Sequence, residues 1–279
     1  MQGRYLLGVT AAEETLAFLR RAGDEGGVPS AEELALRTAR AQGLRLQRPA
    51  SVTAAGAEPV PERWRPHLER VAARPLFQRL YSARPWQFAA VPLGSLLTVQ
   101  PHLHFAYAQA RLRAAGGEAE ALELCLPAEP EPLELWGGVS EGDSPSASFY
   151  TFDPNVHITA ARLQLQPQLS ITFTISKTAL FLHAVRLGGR LYLKNGSHRA
   201  VALALRGAEY APCVLADSDD PDDLPALLPR RALLGPAPPR LLEFLDPDFY
   251  VAHPWRDRVK FIRLVPEEFF SPVPETARP

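Results

Sequence analysis

The stretch Tyr192-Leu193-Lys194-Asn195-Gly196-Ser197-His198-Arg199, continued by Ala200 to Gly207, decides how this chain reads. Tyr192 and Leu193 belong to a short strand, Asn195-Gly196 is a turn pair, and Ser197 opens a helix that stops at Gly207. A strand that turns at once into a helix leaves the first backbone N–H groups of that helix unpaired. With the helix dipole they form a ready anion site. Gly196 permits a positive φ or a close backbone approach, and Ser197 offers a hydroxyl. His198 and Arg199 offer further donors, the arginine as a planar fork matched to phosphate. Ala200, Val201, Leu203, Ala204 and Leu205 are apolar, so the helix is expected to be buried and its N-terminus held rigid. A bland reading fits the same letters: a hairpin turn, an ordinary Ser cap and a solvated His-Arg pair. From the residues alone the two stand even.

On either side the chain reads as mixed α/β. Thr10 to Glu13 and Ser30 to Glu33 match the capping-box pattern and predict two N-terminal helices joined through Gly26-Gly27-Val28-Pro29. Residues 48–61 read as a linker, and a third helix is expected from Glu62 to Leu80. Two short apolar stretches, Phe88–Leu93 and Ser95–Val99, open a mixed α/β unit and precede a helical stretch from Ala106 to Ala115. Strands are then expected at Leu122–Leu126, Leu133–Trp136, Ser148–Phe152, Ile158–Leu165 and Leu169–Ile175, with a mobile loop from Gly137 to Pro145. Ser176 is placed as the cap of a helix over Lys177–Leu187, stopped by Gly188-Gly189. After the corner come a strand at Pro212–Ala216, an exposed acidic and Pro-broken tract from Asp217 to Pro239, and a last strand at Val259–Val265. The expected organisation is a helical region over 1–85, an α/β domain over 86–220 and a Pro-rich extension over 221–279.

Composition narrows the classes. The 279 residues, 46% hydrophobic and 22% charged, suffice for a sizeable core, and no apolar run approaches the ~18 residues of a membrane helix. The start of the chain lacks the pattern of a secretory signal, so a soluble, cytoplasmic protein is expected. Cys125 and Cys213, far apart and in apolar settings, are expected to be reduced, buried and inert. With 30 basic and 31 acidic residues, no whole-molecule field draws nucleic acid or an acidic membrane. Only three of the basic residues are lysines: Lys177, Lys194 and Lys260.

The run Leu191 to Gly207, followed by Ala211-Pro212-Cys213-Val214-Leu215-Ala216, resembles the signature of the ParB/sulfiredoxin-like superfamily. There a strand, a Gly-containing turn ending in Arg, a helix closed by Gly, and a strand introduced by Pro follow in this order. The expected helix Lys177–Leu187 fits the same order, and Val91–Gln100 is similar to the family's opening segment. The resemblance implies a ParB/sulfiredoxin-like mixed-sheet domain. It also implies that Asn195, Gly196, Ser197, His198 and Arg199 bind the phosphates of a nucleotide, ATP or CTP among family members. Lys194 joins this binding set as a source of positive charge, with Lys177 as the alternative source. The departures are informative. Ser197 stands where sulfiredoxin has its reactive cysteine, which argues against thiol-dependent repair. Gly196-Ser197-His198-Arg199 replaces the Gly-Glu-Arg-Arg of the chromosome-partitioning branch, and no helix-turn-helix pattern follows residue 220, which argues against a DNA clamp. The expected function is therefore nucleotide binding, with hydrolysis or phosphotransfer open and no catalytic base assigned. The alternatives are a non-catalytic protein-interaction module and a nucleic-acid-binding protein or nuclease.

Other groupings are weaker. His102 and His104, near Gln100 and Tyr107, would share a face on a strand, but a metal pair there lacks a third ligand. Asp153-Pro154-Asn155-Val156-His157 reads more readily as a turn than as a site. The acidic run Asp217 to Asp223 lacks the Gly and terminal Glu of a calcium loop, although Mg2+ beside the corner stays open. Trp64, Trp86, Trp136 and Trp255 are assigned to core or interface packing. Walker A, Rossmann, G-x-S-x-G and zinc motifs are absent, so no structural metal is expected.

Overall fold

In the computed structural model, the residues described are 2–22, 28–48, 56–83, 85–112, 116–129, 132–140, 146–153, 156–164, 170–177, 181–254 and 259–265. The chain divides into two compact units, one of Met1–Glu131 with Ala179–Arg256, the other of Pro132–Thr178 with Asp257–Pro279. The fold is mixed α/β, with eight helices and several sheets among the described residues. The division differs from the breaks expected at 85 and 220, because the segment from 132 to 178 makes its contacts with the end of the chain.

The first unit opens with β1 (Gln2–Leu6), α1 (Ala12–Ala22), α2 (Ala31–Gln47), β2 (Glu58–Pro59), α3 (Arg65–Ala73) and α4 (Pro75–Tyr81). It continues with β3 (Trp86–Pro92), β4 (Leu96–Thr98), β5 (His102–His104), α5 (Phe105–Leu112) and α6 (Glu118–Cys125). The second unit holds β6 (Trp136–Ser140), β7 (Ser146–Thr151), β8 (Val156–Gln164) and β9 (Ser170–Lys177). The chain then returns to the first unit through β10 (His183–Leu187), β11 (Arg190–Asn195), α7 (Ser197–Leu205), β12 (Tyr210–Ser218), α8 (Arg230–Leu234) and β13 (Tyr250–Pro254), and β14 (Lys260–Leu264) completes the second.

A six-stranded mixed sheet, β2-β3-β12-β10-β11-β4, forms the centre of the first unit. β10 runs parallel to β12 and antiparallel to β11, and β11 runs parallel to β4. The buried side chains Val185, Leu191, Leu193, Val214 and Leu215 join Ala200, Val201 and Leu203 of α7 in one core. A smaller sheet, β13-β1-β5, carries Tyr5, Leu7 and Val251, which pack with Leu19 and Leu34 of the first two helices in a second cluster. The N-terminal region is thus not purely helical, since β1 pairs residue by residue with β13, more than two hundred positions away. Nor is the acidic tract after Asp217 wholly irregular: Leu224, Leu228 and Leu233 are buried in the main core.

Several local expectations are corrected. The segment Lys177–Leu187 is not a helix: Lys177 ends β9 and His183–Leu187 is a central strand. Gly188 and Gly189, both at positive φ, form the two-residue turn of the β10-β11 hairpin instead of a helix stop. Pairing with β11 and β12 on both sides overrides what local capping signals suggested. Conversely, Leu122–Cys125 lies in a helix, α6, with Leu126 as its C-cap and its start secured by the Glu120 carboxylate accepting from the Gly117 N–H at 3.0 Å. Ala and Glu are strong helix formers, so the alternation of Leu122-Glu123-Leu124 was a misleading signal. The helix expected over Glu62–Leu80 is broken at Arg74, which is extended (ψ 131°) because Pro75 disfavours the helical region for the residue before it. Ser30 caps α2 as expected, accepting from the Glu33 N–H at 3.1 Å, whereas Thr10 bonds the hydroxyls of Tyr5 and Thr15.

The strand expected at Leu133–Trp136 begins only at Trp136, and Gly137–Ser140 is strand rather than loop. The link at Gly26-Gly27, half of the 48–61 linker (49–55), residues 141–145 and Trp255 lie outside the described residues. Among the described residues no helix is long and apolar enough to cross a membrane. Cys125 and Cys213 are both buried and unbridged, and burial pushes the Cys125 thiol up to about 12, so neither ionises readily.

Candidate functional site

β11 brings Lys194 and Asn195 to the edge of the core, where the Asn195 amide donates to the Phe181 carbonyl at 3.3 Å. Gly196 then takes φ 98° and ψ 21°. A Cβ there would stand 3.0 Å from Leu182 Cγ and 3.2 Å from Leu182 Cα, so glycine is required by conformation and by space together. α7 starts directly from this residue with no side-chain cap. Its far end is closed by a Schellman arrangement, with the Ala208 N–H donating to Leu203 O and the Gly207 N–H to Ala204 O. The helix is therefore anchored at its C-terminus and through its buried face.

Arg199 folds back over the turn: its Nη2 lies 3.2 Å from the position a Gly196 Cβ would take, and its Nη1 donates to Leu124 O at 3.4 Å. That carbonyl lies in the last turn of α6, where an orphan acceptor and the negative end of the dipole both favour a cation. The guanidinium also stands near Tyr81, whose hydroxyl is pushed up in pKa mainly by burial and drawn back by the Arg199 charge. Arg199 is thus placed on the corner and positioned by the neighbouring helix.

Ser197 and His198 differ from expectation. Ser197 is only 4% exposed, which leaves its hydroxyl little access to a ligand. The His198 ring turns inward, where Nε2 accepts from the His104 backbone N–H at 3.1 Å and the ring meets Tyr107 edge-on at 5.2 Å. Burial, and then the neighbouring His104, His102, Arg199 and Arg111, push its pKa down to about 3. It is neutral at physiological pH, with the proton assigned to Nδ1 by the bond at Nε2. His198 therefore ties α7 to β5 and adds no positive charge to the corner.

His183 and Tyr81, both in this neighbourhood, escaped the sequence reading. His183 opens β10 in register with Asn195 and meets the Tyr81 ring edge-on at 5.2 Å. Its pKa is pushed down to about 4, chiefly by burial and then by Lys194, with Asp223 opposing. Its Nε2 is buried without a hydrogen-bond partner among the described residues. Reading 183–187 as a strand would have set His183 beside the corner, because an Asn-Gly turn following a hairpin partner implies that register.

The other candidates are placed elsewhere. Lys177 belongs to the second unit and pairs with Asp153 at 3.1 Å. His157, also there, accepts at Nδ1 from Lys260 Nζ at 3.0 Å, and residues 154–155 lie outside the described set. His102 and His104 do share a face of β5, with Leu103 buried on the other, and the His102 ring lies 5.1 Å from Phe18. In the acidic run, Asp217 pairs with Arg186 at 3.2 Å, the Asp220 carboxylate accepts from the Asp222 N–H at 2.9 Å, and Asp223 accepts from Ser218 Oγ at 2.5 Å. Among the described residues no group of three His, Cys, Asp or Glu side chains could hold a metal ion.

The arrangement sets the start of α7, which has no side-chain cap, beside the Arg199 guanidinium. It presents no charged histidine. No protein-family model matches this chain, and neither a curated protein nor a solved structure matches it.

Proposed function

We propose that the corner from Lys194 to Arg199 binds the phosphate of a nucleotide, within a domain of the ParB/sulfiredoxin-like type. The observation that carries this reading is the uncapped start of α7 at Gly196, with the Arg199 guanidinium laid over the same turn. An α-helix whose first donors meet no capping side chain, beside a planar cation, offers a phosphate both the dipole and the fork it needs. The order β11, glycine turn, α7, glycine stop, β12 agrees with the resemblance. The strand at 183–187, where a helix was expected, departs from it. The anion-binding set is Lys194, Asn195, the backbone of Gly196 to Arg199, and the Arg199 side chain. Ser197 and His198 take part through their backbone.

The test is thermal unfolding and calorimetric titration with ATP, CTP, GTP, UTP and orthophosphate, with and without Mg2+. A ligand present at about a hundredfold its dissociation constant stabilises the folded state by roughly 2.7 kcal/mol. The expected result is a rise in midpoint with a triphosphate, reduced in Lys194→Ala and lost in Arg199→Ala. A flat response at millimolar ligand defeats the proposal. A second reading, a protein-interaction module, is favoured by a separate observation: Trp136, Tyr150 and Phe261 lie opposite one another across β6, β7 and β14 and remain exposed, Phe261 by 75%. Co-purification of a partner together with a flat nucleotide response would select it.

A further inference from the structure

Within β9, Ser170-Ile171-Thr172-Phe173-Thr174-Ile175-Ser176, followed by Lys177 at the strand's end, is the same in both directions about Phe173. Three independent identities make this palindrome: Ser with Ser, Ile with Ile, Thr with Thr. Reversal symmetry has a physical consequence in one arrangement, two antiparallel copies related by a twofold axis through Phe173. Ile171 of one copy then lies opposite Ile175 of the other, Thr172 opposite Thr174, Ser170 opposite Ser176, and the two Phe173 rings meet on the axis. Like pairs of this kind, aromatic with aromatic and Thr with Thr, are the favourable cross-strand pairs of antiparallel sheets. Because the centre is a residue, the symmetry holds whichever alternate set of residues points its N–H and C=O groups outward.

Among the described residues β8 and β9 form a sheet of two strands, so one side of β9 is an edge with no strand paired to it. The five residues from Ser170 to Thr174 are exposed, Ile171 by 57% and Phe173 by 40%. On one face Leu163 lies opposite Ile171 and Ala161 opposite Phe173, while the other face carries Arg162 opposite Thr172 and Ala160 opposite Thr174. This alternation is that of a sheet with one covered face, yet a ribbon of two strands is marginal in water. Edge strands of monomers are ordinarily guarded by Lys, Pro, a bulge or an inward charge. Between Ser170 and Ser176 there is no charge, no Pro and no Gly. A low-charge, β-branched run of this kind associates with its own copies unless something prevents it.

We propose that two copies of this chain associate through β9, antiparallel about a twofold axis at Phe173, into a four-stranded sheet of order β8-β9-β9-β8. Such a contact is isologous and closes at two chains.

The experiment is sedimentation equilibrium on the full chain across a concentration series, with three designed variants at these exposed positions. The native chain is expected to be dimeric. In Thr172→Glu/Thr174→Glu, carboxylates face each other twice across the axis, and the dimer constant should weaken by about tenfold or more. In Thr172→Glu/Thr174→Lys, the same register sets opposite charges together twice, and the dimer should persist. Phe173→Cys should yield a chain-to-chain disulfide on mild oxidation, since antiparallel partners fall within the ~4.4–6.8 Å Cα range a disulfide spans. A native chain that is monomeric at every concentration overturns the proposal. So does a dimer that survives the doubly acidic variant, or loss of the dimer in both charge variants alike with circular dichroism unchanged.

Discussion

The inward turn of His198 has a measurable consequence for the pH dependence of stability. An unfolded chain protonates this imidazole near its ordinary value of 6.5, whereas in the fold its pKa is pushed down to about 3. A depressed histidine pKa means that the unfolded state binds the proton first, so stability falls as pH drops below about 6.5 and goes on falling toward the folded value. Between about pH 7 and pH 5 the unfolded chain gains about three-quarters of a proton at this site and the folded chain gains almost none. The loss over that interval is about 2 kcal/mol for a group wholly shielded from water, and about 1–2 kcal/mol here because the residue as a whole is not completely buried. His198→Gln removes the titration while its amide oxygen can still accept the His104 N–H. Urea unfolding of both proteins at neutral pH and at about pH 5 should show the variant losing about 1–2 kcal/mol less than the native chain. His183, depressed to about 4, keeps its own share of the slope in both. Parallel pH dependences in the two proteins would show that the ring can be protonated in place, and the account of His198 as a neutral tie would fail.

Gly196→Ala places a side chain at φ 98° and 3.0 Å from Leu182 Cγ, and should lower the stability of the first unit by about 2–4 kcal/mol. A change in the urea midpoint worth less than about 0.5 kcal/mol would mean that the turn relaxes without cost. The Arg45–Glu243 pair, at 2.8 Å with side chains 5% and 1% exposed, joins α2 to the short helical turn at Leu241–Leu245. Glu243→Ala leaves the arginine buried without its counter-charge and should cost about 3–5 kcal/mol. Arg45→Met/Glu243→Leu should recover most of that loss, and a double variant as unstable as the single one would show that packing rather than charge sets the effect.

The residues that were legible in the chain are those whose structure is settled within a few positions. Asn195-Gly196 dictates a turn, the apolar run after Ser197 dictates a buried helix, and Gly207 stops it, because backbone conformation and a helix face are local properties. For the same reason Ser30 was readable as a cap, and the strands expected at Ser148–Phe152, Ile158–Leu165 and Leu169–Ile175 fall on β7, which ends at Thr151, on β8 and on β9. Where two local signals compete, distant partners decide. Gly188-Gly189 suits a helix stop or a hairpin turn equally well, and only pairing with β11 and β12 makes 183–187 a strand. The Leu-Glu-Leu alternation at 122–124 suits a strand, but a capped run of Ala and Glu makes it a helix.

The sequence by itself determined the corner: its glycine, its rigid helix and the presence of cations on it. The direction each side chain takes was decided by tertiary structure alone. His198 faces inward because a backbone N–H of β5, ninety-four residues earlier, needs an acceptor there. Arg199 is drawn to a carbonyl at the end of α6, seventy-five residues earlier. The N-terminal strand is held between β5 and β13, the latter near the other end of the chain. Hydrogen bonds and burial are satisfied between segments that the linear order does not place together, so the backbone path of the site is written locally while its chemistry is set by what packs around it.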